Sequence, residues 1–457
     1  GRIQEGIDLA AGGEQSVVFL HNGLYKESNT TIDKPLLLQG ESRGGVVIAP
    51  AAVDGHENDA FANAQNGLIV GAGDVTIRNL TIDGEANTAL SPNTRNFRQG
   101  IISNGNYDAV HVDNVSIAHV YRRGIAISGT TTIDHVIENS SVDDVWLLDG
   151  IIVFGRADIL ENQVSSIHGM GNSGSGIRVY GDSTFTGSHT VADNTITDAQ
   201  FGVTADVSAV IRDNVIDQVN VGIVMNNLYY GANSGSLALI QGNQISNIND
   251  SGAIMAGVGM SLVNLADGSL VGGPNAADRN TIDIGSGSGV IGMNVWWNPG
   301  GVTIQNNELT VGAGNTGIEV QYTVDESKPV VILDNVFTGD AGAGTGVLMT
   351  PGEDNGNCYA VIKGNQFVDL AVGVDMDLPS GNKRIEATIG GSEEGDSNVF
   401  VNNLTAIRVH EFDGQIGGYN VVANIVGNLG SIHGNAVGID VVGGSAVITG
   451  NAIYDNA

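Results

Sequence analysis

The chain of 457 residues carries 50 Asp and Glu against 18 Lys and Arg, a formal net charge of −32. That field argues against nucleic-acid backbones and anionic membranes as main partners. Gly is abundant at 67 residues but Pro is only 8, and 41% of residues are hydrophobic, so the chain is a folded body with a long core rather than a linker.

The first stretch, "GRIQEGIDLAAGG", reads as an amphipathic helix and not as a secretory signal, so an extracellular or cell-surface location implies a mature form or an excised part. No apolar run reaches the ~18 residues of a membrane helix. Cys358 is the only cysteine, which excludes an internal disulfide framework and a Cys-rich zinc site.

Further along, a phrase apolar-x-x-Asn-x-apolar recurs as "ILENQV" (159–164), "VADNTI" (191–196), "IRDNVI" (211–216), "IQGNQI" (240–245), "IQNNEL" (304–309), "IKGNQF" (362–367) and "ITGNAI" (448–453). A second phrase follows each turn, with Gly before alternating apolar residues: "GIAIS" from Gly124, "GIIVF" from Gly150, "GIRVY" from Gly176, "GIEVQ" from Gly317 and "GVDMD" from Gly373. The repeat length suits a parallel β-solenoid. Positions one and three after the glycine are apolar in every copy and are expected in the core; positions two and four are expected on a shared outward face. The asparagines are expected at corners, in left-handed geometry and bonded to one another.

The expected fold is therefore all-β: a single-stranded right-handed parallel β-helix with an N-terminal capping helix. Residues 1–70 form the cap and first rungs, and 71–457 form the body, continuous with the cap as one elongated domain. The last residues, "GNAIYDNA" (450–457), lack the glycine strand that follows elsewhere. Such an edge is expected to be followed by further rungs or a cap, or to self-associate.

These phrases resemble the parallel β-helix repeats of the pectate-lyase-like superfamily over roughly residues 70–457. The opening, "IQEGIDLAAGGEQSVVFLHNGLYKESNTTIDKPLLLQG", resembles the cap and first strands of NosD-like and carbohydrate-active members. "LVGGPNAADRNTI" (270–282) and "TIGGSEEGDSNVF" (388–400) resemble a Gly-Gly…Asn-Val-Ile phrase of large bacterial surface and secreted β-helix proteins. The resemblance implies the fold; the superfamily holds lyases, hydrolases, epimerases, adhesins and scaffolds alike. The catalytic phrases of mannuronan epimerases, pectate lyases and polygalacturonases are absent, so no catalytic residue carries over.

Site candidates come instead from residue chemistry. Arg98, Tyr121, Arg122, Arg123, Asp149, Arg178 and Tyr180 fall within about four rungs, a local basic and aromatic patch in an acidic chain. Arginine is suited to two-point recognition of a carboxylate or sulfate. Binding of a polysaccharide is the expectation, an acidic one preferred and a neutral one left open, with Arg98, Arg122, Arg178 and Tyr180 as contacts. A lyase or epimerase would further need a base, Arg123 or Tyr121, with Asp149 holding a cation or orienting an arginine. The competing reading makes Arg122 and Arg123 ordinary ion pairs with Asp143, Asp144 or Asp149.

A second constellation, Asp375 and Asp377 with Arg408 and His410, has carboxylate spacing compatible with glycoside hydrolysis; cross-rung ion pairing is the plainer reading. Trp297, beside Trp296, is a candidate sugar platform. No histidine metal site is expected. The acidic turns 352–357 and 392–398 match no calcium-loop spacing and read as solvated, calcium being the cation they would take. The alternative to a carbohydrate-active protein is a non-enzymatic adhesin or structural rod.

Overall fold

The computed structural model describes residues 2–457 apart from 14–15, 57–58, 91–93, 131–133, 171–172, 182–187, 227–234, 250–256, 286, 299–300, 324, 341, 352–355, 380–382, 412–419 and 430. The acidic turn at 352–357 thus lies largely outside the described residues. Strands hold 57% of the chain and helix 2%, and the strand ladders are parallel. The fold is the expected right-handed parallel β-helix, the hand that parallel crossovers take almost without exception. Contacts group the chain into two compact units, Gly1–Val210 with Asn214–Val219, and Ile211–Asp213 with Asn220–Ala457.

In the first unit the helix Ile3–Leu9 buries Ile3 and Ile7 against strands Val17–Leu20 and Thr30–Ile32. Its first turn leaves backbone N–H groups without intrahelical partners. The buried Glu27 carboxylate accepts two of them, from Ile3 at 2.7 Å and Gln4 at 3.3 Å. The helix is a two-turn plug on the first rung, not a large cap.

One continuous strand, Val110–Ser128, shows how a rung turns. Asn114 and His119 adopt φ of +51° and +54°, single left-handed residues that bend the strand without interrupting it. It pairs in turn with His135–Glu138, Ser141–Val145 and Ile151–Phe154 of the next rung. The core columns are those expected: Ile125, Ile151, Ile177 and Val203 are in register and fully buried.

The repeat asparagines differ from the expectation in one respect. The left-handed residue is the one before, as at Glu161, Asp193 and Asp213. The asparagine itself turns inward: Asn162, Asn194 and Asn214 are at most 1% exposed. Each amide donates to the next asparagine of the same unit, Asn162 to Asn194 and Asn194 to Asn214 at 3.0 Å. In the second unit the same bond joins Asn243, Asn280, Asn307, Asn335, Asn365, Asn398, Asn428 and Asn451 in succession at 2.8–3.1 Å. Each also donates to a backbone carbonyl, satisfying groups that would be costly to bury unpaired.

The glycines have a packing reason too. In the second unit Phe337, Phe367 and Phe400 stack with ring centroids 4.9 and 4.7 Å apart. A Cβ at Gly317, Gly346 or Gly373 would sit 2.6–2.8 Å from those rings and 2.5–2.6 Å from the carbonyl of the following rung. Only glycine lets the strand start that close to the core.

Candidate functional site

The expected face forms in the first unit, on strands Phe97–Ser103, Val110–Ser128, Ile151–Phe154, Ser175–Tyr180 and Thr195–Ala205. Its floor is partly apolar, because Ile102, Ala126 and Ile152 lie side by side in register. Beside it, Arg123 Nε lies 3.8 Å from Asp149 Oδ2, and Arg178 Nη2 donates to Asp206 Oδ2 at 3.0 Å. The arginine side chains remain 24% and 30% exposed over carboxylates that are 3% and 4% exposed. Among the described residues the buried Arg123 Nε has no hydrogen-bond partner, so the Asp149 contact does not saturate the guanidinium. Tyr180 meets Phe154 edge-on at 5.0 Å and, with Arg178, acts on the charge of Arg123.

The electrostatics follow from burial. Burial pulls the Arg123 guanidinium down and Asp149 pulls it back up, with Arg122 opposing. Burial pushes the Asp206 carboxyl above the usual range, Arg178 draws it down, and the Asp149 charge pushes it up again. An arginine stays cationic at neutral pH, so Arg123 supplies charge, while burial favours the protonated form of Asp206.

Sequence reading had passed over Asp206. Its signal was present: "GVTAD" (202–206) is one more glycine phrase, with Asp206 following Tyr180 in column. The small Ala205 at the third position hid it among larger apolar residues.

Other candidates fall elsewhere. Arg98 is not a surface contact: its side chain is fully buried, its Nε and Nη2 donate to Asp54 Oδ1 at 3.1 and 2.8 Å, and Nη1 donates to the carbonyls of Asp59 and Ala62. Gln99, Asp149 and Ser175, each just before the glycine of its phrase, are 0–2% exposed.

The ladder slips beside Gln99: Phe97 pairs with Val120 but Gln99 with Arg123, so two steps of one strand face three of the other. Such a bulge re-aims side chains, and Tyr121, Arg122 and Arg123 are all half-buried. Arg122 therefore does not point cleanly away from Arg123; both are felt in one field, and Arg122 also acts on Asp59. Tyr121 is stacked on His56 at 3.8 Å and 4°, so one face of its ring is covered. Of the competing partners, Asp149 is the one that Arg123 meets; Asp144 pairs with Arg95 at 2.7 Å and His168 at 3.3 Å, and Asp143 accepts from Ser165 at 2.7 Å.

In the second unit, Asp375 receives a two-point bond from Arg408, and Asp377 pairs with His410 at 2.9 Å. The partners are directly opposed in register, as cross-rung ion pairs are. Trp297 is 44% exposed and lies parallel to Tyr322. Tyr229 and Tyr230 lie outside the described residues. Among the described residues no group of three His, Cys, Asp or Glu is placed to hold a metal ion, and no helix is long and apolar enough to cross a membrane.

No family model matches the chain, and no curated protein matches it. Solved structures do. The A-module of a mannuronan C-5 epimerase from Azotobacter vinelandii is 14% identical, covering 87% of this chain and 94% of its own, with a TM-score of 0.44. An alginate lyase in complex with a trisaccharide is 11% identical over 98% of this chain and 92% of its own, TM-score 0.43. The catalytic unit of an α-1,3-glucanase from Streptomyces thermodiastaticus is 16% identical over 100% and 66%, TM-score 0.39. At these identities and TM-scores none of them lends this chain an activity.

Proposed function

We propose that the protein is a carbohydrate-active β-helix that binds an acidic polysaccharide on the Arg123–Arg178 face, outside the cell or at its surface. One observation carries this reading: two partly exposed guanidiniums stand over two buried carboxylates in a chain of net charge −32. An arginine needed only for packing is consumed as Arg98 is. Arg123 and Arg178 would hold uronate carboxylates by charge-assisted bonds, and Tyr180 would pack on a ring. In a lyase or epimerase form, Asp206 would exchange the proton alpha to the carboxylate while Arg123, oriented by Asp149, stabilises the charge that develops.

Calorimetric titration with oligogalacturonate, oligomannuronate and oligoguluronate tests the binding, and absorbance of the unsaturated product tests the chemistry. Binding weakened at least ~10-fold in Arg123→Ala and in Arg178→Ala is expected. Absence of binding across the panel, or binding untouched by both changes, would sink the proposal.

A further inference from the structure

The second unit holds a polar and aromatic face separate in chemistry from the arginine face. On consecutive rungs, Asn294 pairs in register with Glu319, and Ser261 with Asn294. The Asn294 side-chain oxygen is buried without a hydrogen-bond partner. Glu319 is 8% exposed; burial raises its proton affinity and the Gln321 amide lowers it, and no cation takes part among the described residues. A buried carboxyl with no counter-charge and a buried amide oxygen with no donor are both unmet demands, and a ligand rich in hydroxyl groups would meet both.

At the corner of the same rungs stands Trp297, with φ of +47° and 44% exposed. Left-handed backbone is unfavourable for a bulky residue and easy for asparagine. The preceding rung has Asn264 at this corner, with φ of +54°, its N–H donating to the Trp296 carbonyl. The chain thus accepts an awkward backbone here to hold an indole at the surface. That indole lies parallel to Tyr322, interplanar angle 6°, centroids 6.5 Å apart, and edge-on to Trp296 at 6.2 Å. Strain kept for an exposed ring points to use rather than packing.

We infer that Asn294, Glu319, Trp296, Trp297 and Tyr322 form a second saccharide site that takes a neutral sugar ring: the indole stacks on an apolar ring face while Asn294 and Glu319 bond its hydroxyls. Neutrality follows from charge, because an uncompensated carboxylate repels an anionic sugar and the arginines that would attract one are missing from this set. The inference stands independently of the acidic-polysaccharide reading.

The test titrates the full chain with cellohexaose and maltohexaose, following tryptophan fluorescence and calorimetry, with hexagalacturonate in parallel. At least one neutral hexasaccharide should bind and quench. Trp297→Asn should keep or raise Tm, since asparagine suits that backbone, while weakening binding at least ~10-fold. Glu319→Ala should weaken it similarly, Glu319→Gln should retain most of it, and Arg123→Ala should leave it unchanged. The inference is overturned if neither neutral sugar binds, if both Trp297→Asn and Glu319→Ala bind normally, or if Trp297→Asn lowers Tm by many degrees, which would make the indole a packing residue. Failure of hexagalacturonate alone would count against the arginine face and leave this site standing.

Discussion

Two faces carry alternating charge, and they resolve it in opposite ways. In the second unit, Arg408 and Asp375 close on each other and His410 closes on Asp377, so each charge finds its partner directly across the ladder. In the first unit, Arg123 stops 3.8 Å short of Asp149 and, among the described residues, keeps a buried Nε–H without a partner. Register does not separate them, because Arg123 and Asp149 each precede the glycine of their phrase and so share a column too; what differs is the distance across it, and on the same face Arg178 closes on Asp206 at 3.0 Å. An outward charge pattern is therefore no sign of a site until the distances across its columns are known.

That contrast can be broken most sharply at Arg98, the closed extreme within the first unit. Arg98→Ala leaves Asp54 buried and uncompensated, and should cost about 3–5 kcal/mol in a denaturant melt. Acid should act next. His189 is buried with its proton affinity pushed down to about 3, so the unfolded chain binds a proton from pH ~6.5 downward while the folded one does not. Stability is lost as pH falls through that window, by at most ~1.4 kcal/mol per unit from this group. His189→Gln should flatten the acid limb of a Tm-against-pH curve.

Smaller effects separate the two faces by function. Arg178→Ala should weaken uronate binding by about 1.5–3 kcal/mol, whereas Arg408→Ala should leave binding alone; both strand a buried carboxylate, Asp206 or Asp375, and should lower Tm alike. Equal effects of the two changes on binding would erase the distinction. Asp206, raised by burial, should carry less negative charge as pH falls, so uronate affinity should rise toward acid pH. Asp206→Asn should remove that slope and raise affinity at neutral pH, readable as a calorimetric pH profile.

Fold and core were legible because both rest on periodicity: the glycine phrase at 124, 150, 176, 317 and 373 indexes the buried columns, and each copy reinforces the others. Arg123, Asp149, Arg178 and Tyr180 were legible as a group for the same reason. Arg98 was not, because its burial depends on Asp54 and the carbonyls of Asp59 and Ala62, some 36–44 residues earlier. Nor was the half-burial of Arg122, since a one-residue bulge leaves no mark in composition. Trp297 was visible as a ring but not as a left-handed corner; only its column partner Asn264 reveals the substitution.

The asparagine bonds carry a consequence for repeat length. Asn194 and Asn214 are 20 residues apart and Asn243 and Asn280 are 37 apart, yet the amide contacts are 3.0 and 2.9 Å. Like teeth on a rack, the amides keep successive turns of a unit in phase whatever length of chain runs between them.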